Sequence, residues 1–134
     1  MSELDLAQYK ALIIEDNDFV RYMVKKHMVS FGFDNVFEAV DGFEGINKLA
    51  THEPDIIVCD INMAPVDGFD FLKHVRRLDS ALRNLPVIFL TSSADEVFVK
   101  RALALDVDAY LLKPVMPKQL RHKIETLLKV RMTA

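Results

Sequence analysis

Four short apolar runs in this chain each end in a residue that can do chemistry. Ala11-Leu12-Ile13-Ile14 is followed by Glu15-Asp16, Ile56-Ile57-Val58-Cys59 by Asp60, Val87-Ile88-Phe89-Leu90 by Thr91, and Ala109-Tyr110-Leu111-Leu112 by Lys113-Pro114. If the first and second of these runs lie side by side, Glu15, Asp16 and Asp60 converge. Unit charges about 4 Å apart repel by roughly 4 kcal/mol at an effective dielectric near 20, so such a cluster needs a counter-charge. A hard divalent cation supplies one, and an all-oxygen ligand set suits Mg²⁺. No His or Cys pairing at zinc spacing competes with it. Lys113 adds a mobile positive charge and Thr91 a hydroxyl donor, the groups wanted around a phosphoryl oxygen. Asp60 is the best candidate for a nucleophile toward phosphorus that then holds an acyl phosphate, because it ends the central run and is followed by a loop. Taken singly, each acid or Thr91 reads as a helix cap and Lys113 as an ion-pair partner. That reading explains one position at a time and not all five together.

The elements that must place these residues are legible from periodicity. A further run, Val36-Phe37-Glu38-Ala39-Val40, joins the four above, and its end at Asp41-Gly42 reads as a turn and helix start. Their β-branched and aromatic content indicates strands. Stretches with helical spacing fall near 17–31, 43–51, 69–78, 95–105 and 118–130. The order is βα repeated five times. Strands apolar throughout are covered on both faces, which predicts a doubly wound α/β fold with a parallel sheet between two helical layers. In such sheets ligands bind outside the carboxyl ends of the strands, where the reactive residues stand. Gly32, Asp41-Gly42, Asp67-Gly68 and Pro86 mark boundaries. With no linker or repeat, residues 1–134 are expected to form one domain with its core over about 10–130.

Composition narrows the function. The 134 residues suit one cored domain and not two. Seventeen Lys and Arg against 20 Asp and Glu leave a net charge of −3. No positive field draws the chain to nucleic acid or anionic lipid. The single cysteine forms no internal disulfide, and Met1 to Lys10 lacks the order of a signal peptide. A cytoplasmic location follows as the expectation. No apolar run approaches the ~20 residues needed to cross a bilayer.

In its order and spacing the set Glu15-Asp16, Asp60, Thr91, Tyr110 and Lys113-Pro114 resembles the receiver domain of bacterial two-component response regulators, of the stand-alone chemotaxis-regulator kind. The resemblance spans about Lys10 to Val130. It implies a flavodoxin-like, five-stranded sheet of order 2-1-3-4-5. It also implies that Asp60 accepts a phosphoryl group from a phosphohistidine of a sensor histidine kinase or a histidine phosphotransfer protein. Asp16 and Asp60 would bind Mg²⁺ directly, Glu15 through water, and Asn62 through its backbone carbonyl. Lys113 would pair with Asp60 before phosphorylation and with the phosphoryl group after it. Thr91 and Tyr110 would act as the switch, and the Lys113-Pro114 bond would be cis. Departures from the family's wording are Ala64-Pro65 in the loop after Asp60, Asp106 where a helix-ending glycine is usual, Val115 after the Lys-Pro pair, and Ser92-Ser93 after Thr91. Asp tolerates the left-handed conformation that position 106 then requires.

Two helices carry more apolar residues than a core can take. In the fourth, Phe98, Val99, Ala102, Leu103 and Leu105 form the predicted inner stripe, which leaves Val97 outside. Receivers often signal through the face made by helix four, strand five and helix five, so a protein target is expected there. In the first helix Val20, Val24, Met28 and Phe31 make a stripe beside a surplus of Phe19, Tyr22, Met23 and Val29, and the family docks its phosphodonor at the start of this helix. His27 reads as a core or boundary histidine, and the basic runs of helices three and five as solvated faces. The expected assembly is a monomer or weak dimer.

The resulting expectation is a regulatory phosphoacceptor and not an enzyme. One alternative is an adaptor of the same fold that binds partners regardless of phosphate. A Mg²⁺-dependent phosphohydrolase would want a second Asp two residues after the nucleophile, where this chain has Asn62. A flavin or nucleotide module would want a Gly- or Ser/Thr-rich loop after the first strand, where this chain has Glu15-Asp16-Asn17-Asp18.

Overall fold

The computed structural model describes residues 4–133. Strands β1 (Lys10–Ile14), β2 (Asn35–Ala39), β3 (Ile56–Asp60), β4 (Val87–Thr91) and β5 (Ala109–Leu112) alternate with helices α1 (Asp18–Phe31), α2 (Gly42–His52), α3 (Gly68–Arg76), α4 (Glu96–Ala104) and α5 (Pro117–Thr133). All strand pairs are parallel and the sheet order is β2-β1-β3-β4-β5, as the resemblance implies. Short 3₁₀ turns at Leu6–Gln8 and Ala81–Asn84, which periodicity does not reveal, precede β1 and β4. Among the described residues, no helix is long and apolar enough to cross a membrane.

Alternation along each strand divides the core between the two faces. Leu12, Ile14, Ile57, Cys59, Val87 and Phe89 pack with Leu49 of α2, Phe69 and Leu72 of α3 and Ala102 of α4. Ala11, Ile13, Ile56, Val58, Ile88 and Leu90 pack with Val24 and Met28 of α1 and with Leu120, Ile124 and Leu128 of α5. Every residue of β3 and β4 is buried. The edge strand β2 departs from the expectation of two covered faces: it is half-buried through Val36, Phe37 and Glu38, and Val40 lies beyond its end and is exposed. An edge strand has one neighbour and a smaller covering, so it accommodates the central Glu38.

Helix starts and stops follow local chemistry. Asn17, Asp41, Asp67 and Asp95 cap α1 to α4 through their side-chain oxygens. Gly32 ends α1 at φ 118°, and Asp106 adopts the left-handed φ of 61° after α4. The inner stripe assigned to α4 needs one correction, since Leu103 is 61% exposed. At about 100° per residue it sits about 100° round from the fully buried Ala102, whereas Phe98, Val99 and Leu105 fall within about 60°. Val97 is exposed, as the pattern predicts.

Candidate functional site

Register brings the reactive residues to one edge. Ile14 pairs with Cys59, Asp60 with Leu90, and Thr91 with Leu112, so Glu15, Asp60, Thr91 and Lys113 all stand at the carboxyl ends of adjacent strands. The Lys113 N–H donates to the Thr91 carbonyl at 2.8 Å, extending that alignment one residue past β5. Carboxylate oxygens of Glu15, Asp16 and Asp60 lie within 4.8 Å of one another. Glu15 and Asp60 are buried, and Asp16 is exposed. None of the three caps a helix, because Asn17 and Asp67 take those positions, and Asp95, not Thr91, caps α4.

Lys113 is the counter-charge inside this cluster. Its Nζ lies 2.8 Å from Glu15 Oε1 and 3.4 Å from Asp60 Oδ1. The shorter contact is to Glu15, so this acid, which the resemblance assigns to water-mediated metal contact, holds the lysine more closely than Asp60 does. One ammonium does not balance two buried carboxylates. Burial pushes the Asp60 carboxyl above its ordinary pKa, against the opposing pull of Lys113 and the Ile61 N–H. Burial likewise raises Glu15, opposed by Lys113 and the Asn17 N–H and assisted by the charge of Asp60. Desolvation works against the charge on Lys113, yet Glu15 and Asp60 outweigh it and hold its pKa above the ordinary value. The neighbouring Cys59 thiol is pushed well up by complete burial and then by the charges of Asp60, Glu15 and Asp67.

The loop after β3 fixes the orientation of Asp60. Its Oδ1 accepts from the Ile61 N–H at 2.8 Å, and the Gly68 N–H donates to the Ile61 carbonyl at 2.8 Å. A Cβ at Gly68 would meet the Asp60 carbonyl oxygen at 2.4 Å, so only glycine lets α3 start this close to the site. Asn62 is exposed in the same loop, whose Ala64-Pro65 bond is cis alongside the expected cis Lys113-Pro114 bond. On the other flank Thr91 is fully buried and its Oγ1 accepts from the Ser93 N–H at 3.1 Å. Tyr110 is half-buried, and its hydroxyl donates to the Ser93 carbonyl at 2.7 Å. Burial raises its pKa, and a hydrogen bond with Thr91 opposes that rise. The two switch candidates therefore share the β4–α4 loop as a common neighbour.

Arg21 carries no signal in the sequence pattern, and Arg76, expected on the solvated basic face of helix three, is instead only 16% exposed because loop oxygens enclose it. Arg21, six residues past Glu15, reaches back to the Glu15 carbonyl, and Arg76 gathers the loops at the opposite edge of the sheet. The partners of Arg76 are mostly backbone carbonyls, which carry no signature in residue types, and Arg21 adds Asp18 and Glu38 to the Glu15 carbonyl. His27 is half-buried beside an apolar groove of about 210 Å³ lined also by Phe19, Met23, Pro114 and Val115, in keeping with a boundary residue.

A parallel sheet of this order with buried acids, a lysine and a threonine on consecutive strand ends defines the class of protein. The family model for the response regulator receiver domain matches residues 11–125, and the chain belongs to that family, whose members are receivers in two-component signalling. The chain is 32% identical over 120 residues to chemotaxis protein CheY1 of Helicobacter pylori, covering 89% of this chain and 96% of that one. It is 34% identical over 116 residues to CheY-3 of Vibrio cholerae, covering 87% and 88%. The solved structure of Vibrio cholerae chemotaxis protein CheY4 superposes with a TM-score of 0.82 at 28% identity, covering 89% of this chain and 98% of that one.

Proposed function

We propose that Asp60 is the phosphoacceptor of a two-component signalling step and that its phosphorylation changes which protein this chain binds. The observation that carries this reading is the placement of a buried, oriented Asp60 carboxylate between a lysine and two further acids. Ile61 N–H and Lys113 both engage Oδ1, which presents the other oxygen to phosphorus. That oxygen forms the new O–P bond while the P–N bond of a phosphohistidine donor breaks, and the departing imidazole nitrogen keeps the electron pair. Glu15, Asp16 and Asp60, with the Asn62 carbonyl, suit Mg²⁺: the donor atoms are all oxygen, and the carboxylates carry more negative charge than Lys113 cancels. When bound, the ion neutralises those carboxylates and the developing charge on the phosphoryl oxygens. Lys113 keeps its charge throughout and passes from Asp60 to a phosphoryl oxygen.

Thr91 then offers its hydroxyl to the phosphoryl group, which gives up its contact with the Ser93 N–H and frees the β4–α4 loop and Tyr110 to shift. Val97 and Leu103 on α4, Leu112 at the end of β5 and Met116 just before α5 are exposed apolar side chains, and the α4–β5–α5 surface that carries them is the proposed protein-binding output. The phosphoryl group biases two arrangements of this face by binding one of them better. The chain thus acts as a regulatory phosphoacceptor whose chemistry is confined to itself. The donor is a sensor histidine kinase or a histidine phosphotransfer protein. Intact-protein mass after incubation with acetyl phosphate tests the reading. A gain of one phosphoryl group that requires both Mg²⁺ and Asp60 is expected, and no gain, or an equal gain in Asp60→Asn, refutes it.

A further inference from the structure

We infer that Arg21 is a positioning residue for the acidic pocket, locking the Glu15–Asp16 turn and thereby setting its affinity for Mg²⁺. The inference rests on the Mg²⁺ site proposed above. Each nitrogen of the Arg21 guanidinium has an oxygen partner on a different segment: Nη1 donates to the Glu15 carbonyl at 2.8 Å, Nη2 to Asp18 Oδ1 at 2.6 Å, and Nε faces Glu38 Oε1 at 3.4 Å. The Arg21 side chain is 16% exposed, so its contacts with the Glu15 carbonyl and Glu38 are partly shielded from water, whereas Asp18 is exposed. Glu38 belongs to the edge strand β2 and is held in turn by Lys25 at 3.0 Å. Arg21 therefore ties the end of β1 to the first turn of α1 and to the neighbouring strand.

The consequence falls on Asp16. This residue is exposed, so packing does not orient it; its carboxylate goes where the turn puts it. On one side of it, Glu15 is tied by its N–H to the Ala39 carbonyl at 3.0 Å and by its carbonyl to Arg21. On the other, the Asn17 N–H donates to Glu15 Oε2 at 3.1 Å while its side chain caps α1 at the Val20 N–H. Of these ties, only that from Arg21 bears a fixed positive charge, and only a planar fork serves three acceptors at once. Without it the Glu15 carbonyl loses its donor, and the Glu15–Asp16 peptide is free to rotate. A ligand set that must be ordered at the moment of binding holds its ion less tightly than one ordered in advance.

The test uses the full chain, freed of metal with chelator, in isothermal titration with Mg²⁺ alone at a temperature where every variant is folded. Arg21→Gln is expected to weaken Mg²⁺ binding about tenfold, the lower end of the range for groups that orient metal ligands. Arg21→Lys, which keeps the charge and loses the fork, recovers only part of that loss. Glu38→Gln, which removes one anchor and touches no ligand, weakens binding about two- to threefold by the same reasoning. In phosphorylation by acetyl phosphate, the Mg²⁺ concentration for half-maximal rate rises in Arg21→Gln by a larger factor than the maximal rate falls, a split that general destabilisation does not produce. Unchanged Mg²⁺ affinity in Arg21→Gln overturns the inference even if the melting temperature drops. Normal Mg²⁺ binding by the wild type without phosphorylation refutes the proposed function and leaves the inference standing. No Mg²⁺ binding by the wild type refutes both.

Discussion

At the amino-terminal edge of the sheet, Arg76 donates to the carbonyls of Arg83, Leu85 and Asp106 and to Asp108 Oδ2 at 2.7 to 3.2 Å. The same Asp108 oxygen accepts from the Val87 N–H at 2.8 Å. At the carboxyl edge, Lys113 faces Glu15 and Asp60, with Asp16 beside them. Both edges place a cation against carboxylates near strand ends, but one is balanced and hydrogen-bonded through the backbone, whereas the other keeps an excess of negative charge. The pKa directions record the difference: Glu15 and Asp60 are both raised, chiefly by burial. The contrast separates the part of the molecule that holds the loops together from the part that stores an unmet electrostatic demand. A fold tolerates such a demand where a ligand is to satisfy it.

The largest effect is expected at the balanced edge. Arg76→Ala takes the donor from three backbone carbonyls and the cation from Asp108, which keeps only the Val87 N–H, and should destabilise by about 3 kcal/mol in urea denaturation, given the cost of unpaired groups that are partly screened. Phosphorylation of the folded variant should be unchanged, because no site residue touches Arg76; a lost reaction would mean the two edges are coupled. At the other edge Mg²⁺ should stabilise: at ten times its dissociation constant the linkage is roughly 1.4 kcal/mol, or about 3–6 °C in melting temperature. An unmoved melting temperature at millimolar Mg²⁺ would remove the contrast. The smallest effect is Asp60→Asn in the metal-free chain, expected to stabilise at neutral pH by less than Mg²⁺ binding does. Since the folded pKa of Asp60 is raised, its ionised form disfavours the native state at pH above that pKa, and below the unfolded pKa the penalty is gone. Chemical denaturation of both proteins should therefore show the gain fading as the pH falls through the carboxylate range. A gain constant with pH would assign it to packing.

The positions of Asp60 and Thr91 were legible because each ends a fully buried strand, which announces itself by its apolar run, and that of Lys113 because it follows the apolar run of β5, although Tyr110 is half-buried and Leu112 exposed. The apolar runs place β3 and β4 within one residue for the same reason, and β2, with one neighbour and a charged middle, is offset by one residue, spanning Asn35–Ala39 where the run spans Val36–Val40. Leu103 faces outward despite its apolar side chain, because apolar character alone does not say which side of a short helix is covered. Asn62 and Tyr110 came into view through family resemblance, since an exposed amide and a half-buried ring carry no periodic signal.

The sequence by itself determined the βα alternation, the helix starts at Asp41-Gly42 and Asp67-Gly68, and the acidic and basic types that end the strands. These are short-range matters of periodicity, side-chain shape and local hydrogen bonding. Only the tertiary structure decided that Lys113 sits closer to Glu15 than to Asp60, that Tyr110 reaches the Ser93 carbonyl, that Arg21 joins the Glu15 carbonyl to Asp18 and Glu38, and that Arg76 spends its charge on backbone oxygens. Those pairings depend on strand register and loop path across distant parts of the chain, and a backbone carbonyl looks the same at every residue that bears it.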